Sequence, residues 1–476
     1  MDLTEQQCYQ ALKAKDARFD GRFFVAVKST GIYCRPICPA RTPARERCEF
    51  YPHAALAEQA GFRPCLRCRP ELAPGEAPVD AARKAFSRIK HGALNEENGV
   101  EELSESLGIS SRQLRRSVQQ EFGVTPIALA QTQRLLLAKQ LLTETSLPVT
   151  EIAFASGFSS LRRFNALFLD RYGLNPSALR KKPGIHSQSE PLTLSLAYRP
   201  PLAWNDLLDF LRSHALHGAE VVDASSYART LQVGDRKGWL KVTLGTPGKL
   251  RVEISHSLVA VVPQVLGKLR HLLDLDACPA TIDSQLLKDP RLEHSIAQAP
   301  GVRVPGCVDG FELAWRTVLG QQVSVAAATR IAGRTVEALG EPIETPLPDL
   351  NRLSPTPEQL RNQDSDTLGP LGWLRSRTAA VHVLADRILD GSLDLSPDAE
   401  PELLKEKLVA LRGIGPWTAG YIAMRALNWS DGWPSGDAIL KKRLGGRGEP
   451  DPSWRPWSSY AAMRLWYLPE QEETKK

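Results

Sequence analysis

Four cysteines lie in two close pairs within the stretches TGIYCRPICPAR (30–41) and GFRPCLRC (61–68). Three residues separate Cys34 from Cys38, and two separate Cys65 from Cys68. Loops of this length bring paired thiolates within a few ångströms, and two such pairs complete a tetrahedral zinc site. A closed site of four thiolates is usually structural. The spacing therefore predicts a small domain organised around one Zn²⁺ ion. The other cysteines show no such pairing: Cys8, Cys48, Cys278 and Cys307.

The chain has 476 residues, enough for about three domains of ~150 residues. Its net charge of +6 comes from the front part, where residues 1–190 hold 27 Lys and Arg against 20 Asp and Glu, whereas residues 191–476 hold 33 against 34. This excess favours contact with phosphates, although a solvated surface gives the same pattern. The sequence has no apolar run of about 18 residues and begins with a charged segment, so we expect neither a membrane span nor a signal peptide. Free cysteines at metal-binding spacing favour a reducing interior, and we expect a cytoplasmic protein.

Two segments read as linkers, ELAPGEAPVD (71–80) and KKPGIHSQSEP (181–191), because both combine proline or glycine with polar residues. A third proline-rich segment, 346–359, lies inside a helical region and reads as a long loop. We predict a multidomain protein, mainly α with α+β parts, with four domains at 1–76, 80–182, 191–300 and 301–470.

Residues 81–180 read as nearly all helical. In VEELSESLGISSRQLRRSVQQEFG (100–123), apolar helical spacing stops at Gly108 and a second helix follows the capping residue Ser110. The pattern recurs in VTEIAFASGFSSLRRFNALFLDRYG (149–173), where we expect the second helix over 159–168, and PIALAQTQRLLLAKQLL (126–142) connects the two. Two such units in tandem predict a double helix-turn-helix that binds DNA, although a helical bundle can mimic a single unit. The candidate DNA contacts are Arg115, Arg116, Arg162 and Arg163.

These motifs carry a family resemblance. Residues 1–75, with TGIYCRPICPAR and GFRPCLRC, resemble the Ada methylphosphotriester-repair domain, and residues 80–182, with GFSS, RRF and YG, resemble the AraC-type DNA-binding domain. The resemblance implies that the first cysteine of the quartet, Cys34, both binds zinc and accepts a methyl group from a DNA phosphate. It implies stoichiometric transfer and a methylation-dependent regulator, for which we expect RNA polymerase as a second partner.

The chemistry suits the residues around Cys34. A zinc-bound thiolate is held deprotonated at neutral pH, and four thiolates leave the cluster with a charge of −2. The basic surroundings, which include Arg35, Arg67 and Arg69, offset that charge and attract the phosphate backbone. Transfer of a methyl group converts a thiolate into a thioether, lowers the negative charge and is expected to tighten DNA binding. A structural zinc protein without methyl transfer stays an open alternative.

Short strands are predicted at 192–198, 227–233, 239–245 and 249–255, with helices at 204–216 and 261–275 packed on an antiparallel sheet. Residues 305–470 read as helical again. In LRGIGPWTAGYIAMRAL (411–427), Gly413 and Gly415 flank a tight turn before a helix that begins near Pro416. This predicts a helix-hairpin-helix. Asp437, in PSGDAILKKRL (434–444), opens another helix, where an aspartate is usually only a cap.

This region resembles the helix-hairpin-helix DNA glycosylases, and within them the AlkA-type 3-methyladenine glycosylases. The resemblance rests on SYARTLQVG (226–234), PGCVDGFELAWRTVLGQQVSVAAA (305–328), LRGIGPWTA (411–419) and RLWY (464–467). It implies double-stranded DNA as partner, flipping of the alkylated base, Asp437 as the catalytic carboxylate and Gln322 at the wedge position, where an apolar residue is more usual. It also implies an aromatic pocket formed by Trp417, Tyr421, Trp466 and Tyr467, although each aromatic alone could be a core residue.

Three missing features refine the expected class. Lyase members carry a lysine just after the hairpin, where this chain has Trp417, and no cysteine follows Cys307 to hold an iron–sulfur cluster. A Pro-Cys-His-Arg motif for alkylguanine transfer is also missing. The sequence therefore predicts a monofunctional glycosylase fused to a methylation-responsive regulator. The alternative is a transcription factor whose C-terminal part only binds DNA.

Overall fold

In a computed structural model, the described residues are 3–74, 81–95, 99–180 and 190–467, without the side chain of Tyr467. The chain divides into two compact units. Unit 1 comprises residues 1–199, 233–238 and 245–267, and unit 2 comprises 200–232, 239–244 and 268–476. The predicted linkers at 71–80 and 181–191 lie largely outside the described residues, and the four predicted domain boundaries stay predictions.

Unit 1 begins with helix α1 Glu5–Ala14, which is capped by Thr4 and Gln7, each bonding the other's backbone. A four-stranded sheet follows, and its members are β1 Phe24–Val27, β2 Ile32–Cys34, β3 Cys48–Tyr51 and β4 Arg63–Pro64, with α2 Ala54–Gln59 between the last two. The strands lie in the order β3-β1-β2-β4. Strand β1 is wholly buried and pairs antiparallel with both β2 and β3, whereas β2 pairs in parallel with β4.

Among the described residues that follow in unit 1, seven helices form the predicted double helix-turn-helix arrangement. They are α3 Ala81–Lys90, α4 Val100–Ser106, α5 Ser111–Phe122, α6 Pro126–Glu144, α7 Val149–Ala155, α8 Leu161–Tyr172 and α9 Pro176–Leu179. The connecting helix α6 is confirmed. The bounds predicted for the second helix of the second helix-turn-helix, 159–168, were wrong. Ser160 caps this helix, α8, which runs on to Tyr172 because Phe164, Phe168 and Tyr172 are all buried.

The predicted strands of the next region are confirmed. In unit 1, β5 Leu192–Ala197 pairs antiparallel with β9 Lys249–Ile254, and in unit 2, β6 Glu220–Val222 pairs antiparallel with β7 Ser226–Val233. Strand β8 spans Arg236–Leu244. The two predicted helices are α10 Trp204–Ser213 and α11 Val262–Leu272.

The remainder of unit 2 is helical. Its helices are α12 Pro279–Leu286, α13 Pro290–Gln298, α14 Gly310–Leu319, α15 Val325–Leu339, α16 Pro357–Arg361, α17 Ser365–Leu368, α18 Arg375–Leu389, α19 Pro401–Val409, α20 Pro416–Ala426, α21 Ala438–Arg443 and α22 Ser458–Tyr467. Buried side chains of α14, α18 and α20 form the main core of this unit. No helix within the described ranges is long and apolar enough to cross a lipid bilayer.

Candidate metal centre, DNA-binding elements and base pocket

The four cysteines of the predicted metal site meet at one end of the first sheet. Cys34 ends β2 and Cys65 directly follows β4, and these strands pair in parallel, so the two residues lie at the same sheet end. The four sulfur atoms all lie within 4.8 Å of one another. A tetrahedral site with Zn–S bonds of about 2.3 Å separates its sulfurs by roughly 3.8 Å. The donor set and its spacing therefore fit one zinc ion.

Cys34 differs from the other three ligands in its exposure. It is partly exposed, whereas the other three are buried. Backbone N–H groups donate to two of the buried sulfurs, from Arg67 to Cys65 and from Arg35 to Cys68, both at 3.3 Å. Because an N–H donor withdraws negative charge from a thiolate, these two sulfurs are the weaker nucleophiles. Of the remaining pair, Cys34 is the residue that is partly exposed.

The arginines near this centre do not share one role. Arg35 forms a buried ion pair with Asp20, to which its Nε donates at 2.8 Å, and its Nη1 donates to the Cys68 carbonyl oxygen at 3.0 Å. The expectation that Arg35 attracts phosphate is therefore wrong, because a buried, ion-paired guanidinium instead fixes the cysteine loops. Arg67 is exposed, and its attraction of the phosphate backbone stays a prediction.

A buried ionic network joins the last cysteine loop to the connecting helix α6. Arg69 pairs with Glu71 at 3.0 Å and with Glu144 at 2.5 Å. Glu71 also pairs with Lys139, and both of these side chains are 1% exposed. Lys139 donates in addition to the Cys65 carbonyl oxygen at 3.3 Å. Arg69, like Arg35, thus holds the structure together, but its side chain is 18% exposed and its predicted attraction of phosphate stays a prediction.

The two candidate recognition helices, α5 and α8, repeat one arrangement at an offset of 50 residues. Ser110 and Ser160 cap them through their side-chain oxygens. The buried positions coincide under the same offset, as Leu114 with Phe164, Val118 with Phe168 and Phe122 with Tyr172. This agreement of cap and core supports two true structural repeats rather than a general helical bundle.

The predicted arginines do not occupy equivalent positions in these repeats. All four are exposed, but the offset places Arg162 opposite Arg112, and Arg115 opposite an asparagine. Arg115 also pairs with Glu101 at 2.8 Å on the surface. Arg112, which lies in the first turn of α5 and is exposed, was not among the arginines predicted from the sequence. Counting from the capping serine, rather than seeking adjacent arginines, would have found it.

Asp437 lies at the start of α21, where three N–H groups hold its carboxylate. Its Oδ1 accepts the backbone N–H of Leu440 at 2.9 Å and the indole N–H of Trp466 at 3.2 Å, and its Oδ2 accepts the indole N–H of Trp417 at 2.9 Å. A carboxylate offers about four lone-pair directions. Three are occupied, so one direction at Oδ2 is left for a ligand. Asp437 thus caps α21 and also accepts hydrogen bonds from two indole groups, which a helix cap does not require.

Three of the four predicted aromatic residues, Trp417, Tyr421 and Trp466, line a pocket of about 400 Å³ in unit 2 together with Asp437. The rings of Trp417 and Tyr421 stack with centroids 5.3 Å apart and planes at 13°, and Trp466 is 6.1 Å from Tyr421 at 56°. Flat aromatic faces of this kind suit a planar ring and attract a cation. Tyr467 ends α22, and its side chain lies outside the described residues.

Helix α10 supplies a part of the pocket that the sequence did not reveal. Phe210 and His214 line the pocket, and their rings stack with centroids 4.2 Å apart at 22°. The Arg425 guanidinium lies over both Phe210 and Tyr421, at 4.9 and 5.5 Å from the ring centroids. The sequence had predicted only that α10 packs on a sheet. The sequence pattern that could have indicated a role in the pocket is an aromatic residue followed four residues later by a histidine, because this spacing places both on one helix face.

Charged groups also line the pocket, and they neutralise one another. Arg229 pairs with Glu312 at 2.8 Å and with Glu220 at 3.2 Å, and Arg316 pairs with the same two carboxylates at 3.0 and 3.2 Å. Burial alone would raise the pKa of Glu312, but the two guanidinium groups lower it. The two carboxylates and the two guanidinium groups thus pair with one another along this wall of the pocket.

Gln322 lies in the loop between α14 and α15. It is exposed and has a left-handed backbone, with φ of 57°. Its neighbour Gln321 donates to the Gly413 carbonyl oxygen at 2.9 Å and accepts from Arg377 at 2.5 Å. The loop is thereby tied to the hairpin turn, where Gly413 has φ of 91° and Gly415 caps α20. The loop and the hairpin thus form one rigid edge of unit 2.

Family models match three segments of the chain. Residues 7–71 match the metal binding domain of Ada, residues 103–182 a helix-turn-helix domain, and residues 193–309 the AlkA N-terminal domain. These segments contain the four cysteines, both candidate recognition helices and α10.

Curated relatives extend the similarity over almost the whole chain. The chain is 38% identical to the probable bifunctional transcriptional activator/DNA repair enzyme AlkA of Mycobacterium tuberculosis, over 97% of this chain and 96% of that protein. It is 34% identical to the DNA-3-methyladenine glycosylase 2 of Escherichia coli, over 57% of this chain and 96% of that protein. It is 37% identical to the bifunctional transcriptional activator/DNA repair enzyme Ada of Escherichia coli, over 32% of this chain and 42% of that protein.

Proposed function

Because the chain belongs to the family of bifunctional transcriptional activator/DNA repair enzymes of the AlkA type, we propose that it excises 3-methyladenine-type bases from DNA, with Asp437 as the catalytic carboxylate. We further propose that Cys34 takes a methyl group from DNA methylphosphotriesters. One observation carries the first proposal: two indole N–H groups hold the Asp437 carboxylate beside a stacked aromatic pocket and leave one lone-pair direction open.

In base excision, the damaged nucleotide leaves the duplex and its base enters the pocket. A purine alkylated at N3 or N7 is cationic, and the faces of Trp417, Tyr421 and Trp466 attract it by about 0.5–2 kcal/mol each. The C1′–N bond breaks, and its electron pair leaves with the base, which becomes neutral. The negative charge of the Asp437 carboxylate, whose Oδ2 has one lone pair free of hydrogen bonds within the described residues, stabilises the sugar cation. Water then adds to C1′ and loses a proton to Asp437 or to solvent.

The rigid edge formed by the loop of Gln322 and the hairpin supports DNA binding by unit 2. Gln322 can fill the space left by a flipped base, because its side chain is exposed and its loop is tied to the hairpin. The backbone N–H groups near Gly413 and Gly415 lie before the start of α20, where a helix end attracts phosphate. We assign Gln322 as the wedge and the hairpin as the phosphate contact.

In methyl transfer, the Cys34 sulfur attacks the methyl carbon of the triester. The methyl C–O bond breaks, the phosphodiester leaves as an anion, and an S–CH₃ thioether remains. One zinc ion held by Cys34, Cys38, Cys65 and Cys68 would organise this segment and keep the thiolates deprotonated. The partial exposure of Cys34, where the other three ligands are buried, supports it as the acceptor.

The helix-turn-helix repeats give the regulatory part of the proposal. Arg162 and Arg163 in the first turn of α8, and Arg115 and Arg116 in α5, are exposed and suit phosphate or base contacts at a promoter. Activation of transcription requires that a promoter-bound regulator recruit the polymerase, so we propose RNA polymerase as a further partner.

One experiment scores both activities. The protein is incubated with duplex DNA methylated by an SN1 reagent, the free bases are separated by chromatography, and the cysteine peptides are mapped by mass spectrometry. We expect free 3-methyladenine and a single methyl group on Cys34. The matched controls are Cys34→Ser, which should lose only the methyl signal, and Asp437→Asn, which should lose only the released base. Methylation of Cys65 or Cys68, or no base release by the wild type, would overturn the corresponding assignment.

A further inference from the structure

His214 is the residue of the base pocket whose chemistry the excision mechanism leaves unused. It lines the pocket from the end of α10, with its ring stacked on Phe210. The four charged groups Glu220, Arg229, Glu312 and Arg316 are paired with one another, and Arg425 bonds Tyr421 and two backbone carbonyl groups. His214, with one ring nitrogen bonded within unit 2 and the other reached by no hydrogen bond among the described residues, is a candidate for reading the base.

The hydrogen bonds at one ring nitrogen fix the tautomer of His214. Nδ1 lies 2.8 Å from the Phe210 carbonyl oxygen and 2.9 Å from Ser213 Oγ. Ser213 Oγ already donates to the same carbonyl oxygen, at 2.8 Å. A carbonyl oxygen only accepts, so Nδ1 carries the proton and donates. In a neutral imidazole, Nε2 is then an acceptor.

The imidazole is neutral at physiological pH. Burial, followed by the charges of Arg425 and Arg316, lowers the pKa of His214 to about 4, against the opposing bond to the Phe210 carbonyl oxygen. Nε2 lies on the other side of the ring from these anchors, and within the described residues no hydrogen bond reaches it. The pocket therefore presents a fixed acceptor beside aromatic faces.

We propose that His214 Nε2 selects 6-amino purines by accepting a hydrogen bond from the exocyclic amino group of the flipped base. Adenine carries an N6 amino donor at the place where guanine and hypoxanthine carry an O6 acceptor. An acceptor in a partly dry pocket favours the donor and leaves an O6 group opposed by a lone pair. His214 is thus a specificity residue, not a catalytic one. The proposal rests on excision in this pocket.

The test compares two products released from one sample of methylated DNA, 3-methyladenine and 7-methylguanine. His214→Phe keeps a flat ring to stack on Phe210 but removes the acceptor, and His214→Gln restores an acceptor oxygen. We expect the ratio of kcat/KM for the adenine product over the guanine product to fall about tenfold in His214→Phe, since losing one such bond costs about a factor of ten. His214→Gln should recover most of that ratio.

Three outcomes would overturn the proposal. The ratio could stay unchanged in His214→Phe, both products could fall by one common factor, or His214→Gln could behave like His214→Phe. The first two would assign His214 to packing alone, and the third would show that the acceptor is not what matters. These results differ from a failure of the proposed function, in which the wild type itself releases neither base.

Discussion

Replacing Asp437 with asparagine tests the catalytic assignment, and the hydrogen bonds of this side chain show that the replacement does more than remove a charge. In the wild type, Oδ1 accepts from Leu440 and Trp466, and Oδ2 accepts from Trp417 at 2.9 Å. If the asparagine oxygen keeps the two bonds at Oδ1, the amide NH₂ group faces the indole N–H of Trp417, and one pair of donors is opposed. If the amide is turned the other way, the NH₂ group faces the N–H groups of both Leu440 and Trp466, so this orientation is worse.

The two consequences have different sizes. An unsatisfied donor at a partly buried site lowers the free energy of unfolding by about 1–3 kcal/mol, and the lower end applies because Trp417 is not fully buried. Loss of one preorganised electrostatic contact with the sugar cation costs about 2.7–4 kcal/mol in the transition state, which is about 10²–10³ in rate. We therefore expect Asp437→Asn to be modestly less stable and at least about 10²-fold slower.

A second substitution separates the two effects. Trp417→Phe removes the opposing N–H and keeps a ring to stack on Tyr421. In the double variant, we expect the stability lost in Asp437→Asn to return, as measured by urea unfolding, while single-turnover release of 3-methyladenine stays at least about 10²-fold below that of Trp417→Phe alone. Recovery of the rate in the double variant would mean that the donor clash, not the missing charge, had impaired excision, and Asp437 would then be only a cap.

Three further predictions concern unit 1. Burial raises the pKa of Glu58 from 4.5 to about 7. The neutral carboxyl therefore stabilises the fold below pH 4.5, and this contribution is lost as the pH rises through 7. Glu58→Gln should raise the melting temperature at pH 8 and change it little at pH 4, and an equal shift at both pH values would contradict this. Alanine at Arg162 and Arg163 together should reduce the salt dependence of promoter affinity by about two phosphate contacts, measured by fluorescence anisotropy, and an unchanged slope would exclude them. Cys38→Ser should abolish zinc binding by elemental analysis and make residues 3–74 protease-sensitive, since the metal supplies folding energy, and a zinc-free, protease-resistant variant would refute that.

Local patterns with strict geometric requirements were predictable from the sequence. The spacing of Cys34, Cys38, Cys65 and Cys68 predicted a cluster that the pairing of β2 with β4 brings together. The turn at Gly413 was equally readable, because the left-handed φ of 91° there favours glycine. Such features depend on near neighbours in the chain, so the sequence displays them directly.

Features that depend on distant parts of the chain were not predictable. Nothing near Arg35 announces that it is buried against Asp20, and the excess of arginine around it suggested an exposed basic loop instead. The place of Phe210 and His214 in the pocket likewise depends on how α10 meets helices more than 200 residues later. The bonds from Trp417 and Trp466 to Asp437 were hidden for another reason: an indole reads as an apolar surface until the direction of its N–H is known.

The ionic network of Arg69, Glu71, Lys139 and Glu144 limits how such a protein can be recombined. A metal-binding segment cut away after Ala73 would keep the pair of Arg69 with Glu71 but would lose Lys139 and Glu144, so each of the two retained groups would lose its second partner. A chimaera that joins this segment to a foreign regulator therefore needs a matching lysine and glutamate on the recipient helix. In gene fusion and domain shuffling, we therefore expect the coding sequence of the metal-binding segment to move together with that of α6.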